Sequence, residues 1–199
     1  MRKSFLALAA LAGAAVLVAP MTASASASSV SSVSTSATQT LSFRGLHLTI
    51  PVGWTVYRDS DRVKVITGAC RKPSSGYFTP RCDAFWLFGP KVLKRGHEGF
   101  SAYAPDRPFY PASDVQRCPF NGKYGQVLGK ATVVGLRQVG PGHRAHYRSW
   151  AGRCVTFSNG RQTATFDQRE WYLPKSKILV VDVWNTPGLA GRLKYATWS

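Results

Sequence analysis

The sequence predicts an α+β fold that is β-dominated: an antiparallel sheet in meander order, with few short helices, stapled by disulfides. Three observations carry this expectation. Apolar residues alternate at period two through short runs, as in Leu46, Leu48 and Ile50, and Gly, Pro and Asn bound those runs. Helical periodicity is hard to find anywhere in the chain. Four cysteines, Cys70, Cys82, Cys118 and Cys154, follow a leader with the pattern of an export signal. An even cysteine count in an oxidising compartment reads as a disulfide framework.

The leader is built in three parts. Arg2 and Lys3 are cationic, Phe5 to Val18 is almost entirely Ala, Leu, Val and Gly, and Ala23-Ser24-Ala25 is a small-x-small cleavage pattern, repeated at Ala25-Ser26-Ala27. Residues 1–25 are therefore expected to be a signal peptide. The apolar run is too short to cross a bilayer comfortably, and no second long apolar run follows it. No Cys stands directly after it to take a lipid. Residues 26–40 are Ser/Thr/Ala-rich and uncharged, and such a segment cannot bury enough surface to offset its ordering entropy. They read as a flexible linker, and residues 41–199 as a single secreted domain, expected to be monomeric, extracellular and without a membrane span.

Within that domain the elements follow in order. Leu46 to Ile50 is a strand closed by Pro51, and Val52-Gly53 turns into a second strand at Trp54 to Tyr57. Val63 and Val65 alternate again, and Ala84 to Phe88 is a short apolar run. Lys91 to Phe100 is the best helical stretch in the middle, although two glycines weaken it. Ala104 to Gly125 is rich in turn residues and reads as loop. Gln126 to Val134 is β-rich. The last third forms a meander: Cys154 to Ser158, with His143 to Trp150 as a continuation of this first strand, then Arg161 to Leu173, then Ile178 to Trp184, followed by a short helix at Gly188 to Lys194. Asn159-Gly160 predicts a two-residue type I′ turn and Pro174 to Lys177 the next turn.

Four cysteines allow three pairings. The arrangement of local loops is Cys70–Cys82 with Cys118–Cys154, and the two closures are worth roughly 3 and roughly 4 kcal/mol in the chain-entropy description. A zinc site would call for a C-x-x-C pair or clustered histidines, and the sequence has neither. No metal and no cofactor are expected.

The turns also set a register. With Ser158 opposite Arg161, Thr156 faces Thr163 and Cys154 faces Thr165. With Pro174 opposite Lys177, Trp171 faces Val180 and Arg169 faces Asp182. Alternation then places Val155, Phe157, Ala164, Phe166, Tyr172, Leu179, Val181 and Val183 on a core face, interrupted by Gln168 and Glu170. The other face collects Asp167, Arg169, Trp171, Asp182 and Trp184 and, carried back without a bulge, Arg148 and Trp150. Two readings compete for this cation–indole strip. It is a recognition surface for sugars, bases, phosphates or carboxylates. Alternatively, it is internal glue with an Arg169–Asp182 ion pair, the reading that the usual burial of large aromatics favours. A single bulge near Ala151-Gly152 would move Arg148 and Trp150 to the opposite face.

The chain carries 26 Lys+Arg against nine Asp+Glu, a net charge of +17. Two of those cations lie in the leader and all nine acids lie beyond it, which leaves +15 on the remainder. Such an excess favours polyanionic partners: wall polymers, acidic polysaccharide, or nucleic acid met outside the cell.

Catalytic constellations are sparse. Glu98, His143 and His146, with Arg148, are the candidates for a secreted ribonuclease-type hydrolase, although an odd spacing on a strand points the two histidines to opposite faces. There is no Gly-x-Ser-x-Gly elbow and no phosphate-binding glycine loop. Asp59 and Asp61, in a turn-like Asp-Ser-Asp, are expected to be solvated. Thr79-Pro80-Arg81-Cys82 and Arg117-Cys118-Pro119 are the segments that a protease inhibitor would present.

The stretch Leu46-His47-Leu48-Thr49-Ile50-Pro51-Val52-Gly53-Trp54-Thr55-Val56 resembles the opening hairpin of small exported bacterial proteins of the PsbP-like superfamily. Trp171-Tyr172-Leu173-Pro174, the apolar strand after it and the tail to Ser199 are similar too. The resemblance covers the two ends of the domain and leaves Gly68 to Asn121 unmatched. It implies an antiparallel sheet with helices packed on it, and a binding or accessory role without a shared catalytic site. Residues and resemblance together predict a basic, secreted, non-enzymatic protein that associates with anionic wall or extracellular polymers or with a protein partner.

Overall fold

The computed structural model describes residues 37–70, 76, 77 and 80–199. The expected signal peptide and the linker up to residue 36 lie outside the described residues. Strand pairing includes residues that composition assigns to the linker. Strand β1 (Thr38–Phe43) takes Thr38, Gln39 and Thr40 from the expected linker and pairs them antiparallel with β2 (Leu46–Pro51). The Gln39 side chain explains the extension, because its amide donates to the Trp54 carbonyl at 3.0 Å and to the Pro51 carbonyl at 3.3 Å.

The fold is β-dominated, as the alternation predicts. The remaining strands are β3 (Thr55–Asp59), β4 (Arg62–Cys70), β5 (Cys82–Phe88), β6 (Gly125–Gln138), β7 (Arg144–Val155), β8 (Gln162–Leu173), β9 (Ile178–Asp182) and β10 (Thr197–Trp198). They form two antiparallel sheets, β1-β2-β10 and β3-β4-β5-β9-β8-β7-β6. The predicted meander is the β7-β8-β9 part of the larger sheet.

The helices are short. α1 (Pro90–Leu93) replaces the expected helix over Lys91 to Phe100. The chain turns back there because Gly96 packs where a Cβ would lie 2.7 Å from Tyr103, and Glu98 and Gly99 both take positive φ. Asp61 is buried instead of solvated. Its carboxylate accepts the Lys91 backbone N–H at 2.6 Å, so it caps α1 in place of Gly89, which has no side chain to do so. Asp59 pairs with Arg62. α2 (Leu189–Lys194) inserts Leu189 and Leu193 into the core.

Both faces of the large sheet are covered. On one side Val63, Val65, Phe85, Trp171, Leu173 and Val180 pack against Leu41, Leu46, Leu48 and Ile50 of the small sheet and against α2. On the other side Ala84, Trp86, Phe88, Phe166, Leu179 and Val181 pack under the long segment between β5 and β6, chiefly through Phe109 and Cys118. The disulfides Cys70–Cys82 and Cys118–Cys154 have the predicted pairing. The first ties the ends of β4 and β5. The second pins the covering segment to β7 across 36 residues of sequence.

The register of the meander is half as predicted. Arg169 faces Asp182 and Trp171 faces Val180. The β7–β8 pairing is shifted by one residue: Cys154 faces Ala164, not Thr165, and Arg148 and Trp150 face Glu170 and Gln168. The cause is the turn. Asn159-Gly160 does not form a two-residue loop. A four-residue loop, 157–160, is closed by the Thr156 N–H donating to the Arg161 carbonyl at 3.0 Å, with Gly160 left-handed at φ 68. A register shift between Cys154 and Val155 follows. Phe157 consequently sits in the loop at 58% exposure and leaves the core face. Gly160 has open space around it, so Gly160→Ala is expected to cost only the strain of a left-handed residue, about 1 kcal/mol. Chemical denaturation reads that cost directly.

Candidate functional site

A single β-hairpin end brings together Arg137, Arg144, Lys175 and Lys194, cations from four separate segments. β6 and β7 are joined through Val139 to His143, with Gly140 and Gly142 both left-handed. The β8–β9 turn, Pro174 to Lys177, lies beside it, and the last turn of α2 docks against it: the Gly140 N–H donates to the Leu193 carbonyl at 3.1 Å. Two clefts open at this end, of about 650 and 610 Å³, and both are lined by Leu136, Arg137 and Gln138. The first adds His143, Arg144, Leu173 and Lys175, and the second adds Tyr147, Arg169, Trp171 and Lys194.

No carboxylate lines either cleft. Arg137, Arg144, Lys175 and Lys194 are exposed, and among the described residues none of the four forms an ion pair. Their charges add in one concave region, where low-dielectric walls concentrate the field. The floor of the second cleft is a cation–aromatic ladder. Arg137 stacks over Tyr147 at 4.8 Å, Tyr147 meets Trp171 with ring centroids 5.0 Å apart, and Arg169 lies over Trp171 at 5.4 Å. Beneath it Asp182, fully buried, accepts from the Arg169 guanidinium, from the Trp184 and Thr186 N–H groups and from the Thr186 hydroxyl. The Arg169 charge is therefore neutralised in place, and Arg169 serves to fix the ladder.

The predicted strip is not one surface. Arg169 and Trp171 share the side that packs on the small sheet, and Trp171 is 2% exposed. Trp150, 4% exposed, and Arg148 above its ring belong to the opposite side because of the one-residue shift. Trp184 lies beyond the end of β9 and packs edge-on against Phe120, also with that opposite side. Asp182 is under the ladder. Tyr147 and Ser149 occupy the places, opposite Trp171 and Arg169, that the unshifted register gave to Arg148 and Trp150.

The catalytic candidates do not converge. His143 stacks on Trp198 at 4.1 Å and its Nδ1 lies 2.9 Å from the Pro141 carbonyl. His146 is exposed near Tyr172 on the strand face opposite Trp171, and Glu98 is exposed in the segment that covers that opposite face. Among the described residues no cluster of His, Cys, Asp or Glu has the shape of a metal site. Of the inhibitor segments, Thr79 lies outside the described residues. Arg81 and Pro119 are joined by a 2.7 Å backbone hydrogen bond, and the Arg117 side chain donates to the Gly122 carbonyl.

A second polar feature lies under the covering segment. Glu170 is buried, and its carboxylate accepts the Phe109 N–H at 2.7 Å, the Tyr103 hydroxyl at 2.8 Å and the Gln168 amide at 2.7 Å. Burial pushes its pKa up to about 7 in spite of these donors. Gln168 also holds the Phe109 carbonyl at 2.8 Å. The network ties the covering segment to β8. Its sequence signal was the pair of polar residues, Gln168 and Glu170, on an otherwise apolar face. No signal of comparable clarity marked Arg137, Arg144, Lys175 or Lys194, which come from four separate segments.

No family model, no curated protein and no solved structure matches this chain.

Proposed function

We propose that this protein is an exported, non-enzymatic binding or accessory protein that holds an anionic partner at the β6–β7 hairpin end. One observation carries the reading: four unpaired cations and a rigid cation–aromatic ladder line two adjoining clefts that contain no carboxylate. The lining offers positive charge, guanidinium donors and one imidazole. It offers no acid–base pair that would cleave a bound ester. Export is supported by the leader pattern and by two disulfides; among the described residues no helix is long and apolar enough to cross a membrane. The resemblance to the PsbP-like superfamily points to the same accessory role.

Retention on an anionic resin tests the reading. The protein is expected to stay bound above about 0.15 M salt, where diffuse attraction is screened. The double variant Arg137→Ala/Lys175→Ala is expected to bind about tenfold more weakly, with a log–log salt slope shallower by about one per cation removed. Lys123→Ala, an exposed cation in the loop before β6, controls for net charge. Equal losses from the control and from single-residue cleft variants would defeat the assignment. RNA incubated with the protein is expected to remain intact.

A further inference from the structure

The two edges of the large sheet are unlike. β3 at one edge is five residues long and carries Arg58 and Asp59, features that discourage a further strand. β6 at the other edge is 14 residues long. Of the nine large hydrophobic residues exposed among the described residues, Val127, Val133, Val134 and Leu136 stand on this one strand.

The direction of its backbone groups follows from the pairing. The Val139 N–H donates to the His143 carbonyl at 2.9 Å, so the odd residues of this stretch turn their main chain toward β7. Val134, Leu136 and Gln138 therefore turn theirs outward. In agreement, the Leu136 carbonyl accepts from the exposed Arg137 guanidinium at 3.0 Å instead of from a strand. Val134 and Leu136 are 62% and 52% exposed. The start of the same edge is already occupied. Gln126 donates its N–H to the Gln116 carbonyl at 2.8 Å, and Arg117 bridges Gly125. The chain itself thus bridges β6 at its first two residues, well before Val133.

We propose that the free half of this edge, Val133 to Gln138, accepts an extended segment of a partner protein as an added strand. The side chains at the edge give that segment its chemistry. On one face Val134 and Leu136 call for apolar residues. On the other, Arg137 with Lys194 across the cleft calls for carboxylates. The occupant is an acidic segment that alternates with apolar residues. A second copy of this chain is the wrong partner, because it brings a net positive charge to a cationic rim. This inference rests on the anion-binding reading and narrows it: main-chain hydrogen bonds supply affinity, and the alternating side chains supply selectivity.

A capped peptide of about ten alternating valine and glutamate residues serves as the probe. Titrated into the full domain, it is expected to slow amide exchange at Val134, Leu136 and Gln138 and to leave Gly135 and Arg137 unchanged. Replacing its glutamates by lysines is expected to weaken binding at least tenfold. Val134→Pro, which removes an outward donor, is expected to weaken the peptide by a similar factor and to leave retention on the anionic resin unchanged. Binding of the peptide without protection of those three amides overturns strand addition while the anion site stands. Failure of both peptide and resin to bind overturns both.

Discussion

Replacing Trp171 by alanine is expected to lower the free energy of unfolding by about 3–5 kcal/mol, as for other large aromatics removed from a packed interior. Trp171 is 2% exposed in the core between the large sheet, the small sheet and α2. Its ring contacts Tyr147 and carries the Arg169 guanidinium, so the substitution removes both packing and the floor of one cleft. Anion retention, measured on the fraction that stays folded, is expected to fall as well, because Arg137 loses the Tyr147–Trp171 platform beneath it. Trp184, which packs at the sheet margin and is only partly buried, is expected to be less costly to remove. Chemical denaturation of the two variants decides. A loss below about 1 kcal/mol for Trp171→Ala would mean that the indole is a surface group.

The second large effect is a pH dependence set by Glu170. Its carboxyl is held near 7 in the folded protein against an ordinary 4.5, with burial as the dominant cause. The folded state therefore binds this proton more tightly than the unfolded state does. The associated stability is fully present below about pH 4.5, declines as pH rises, and is gone above about 7. Over that window the contribution is on the order of 3 kcal/mol. Tyr103, Gln168 and the Phe109 N–H face the carboxylate directly, with the Trp150 indole beside it. Arg148 stands opposite Glu170 in the register. Glu170→Gln keeps the shape and removes the charge, and is expected to flatten unfolding free energy between those two pH values. A slope that survives the substitution would assign the effect to another group.

The sequence was informative where residues interact with near neighbours. The strand at Leu46 to Ile50, the Pro174 to Lys177 turn and both disulfides follow from alternation, turn chemistry and loop length. It was misleading where one local choice propagates. Asn-Gly favours a two-residue turn, yet the Thr156 and Asn159 side chains close a four-residue loop instead, by bonding one another and the Arg161 N–H. That single difference moved Arg148 and Trp150 through the sheet. The burial of both faces had a signal that alternation obscured. Ile178 to Val181 and Ala84 to Phe88 are continuous apolar runs, the mark of a strand covered on both sides. The cationic rim could not be read at all, because Arg137, Arg144, Lys175 and Lys194 meet only once the hairpin ends are brought together.

Inorganic polyphosphate titrated into isotopically labelled protein, followed residue by residue in amide spectra, is the most direct test of where an anion sits. The shifts are expected to concentrate at Arg137, Arg144, Lys175 and Lys194 and to saturate. Shifts scattered evenly over the basic surface, or gathered at another patch, would contradict a dedicated site at the β6–β7 hairpin end.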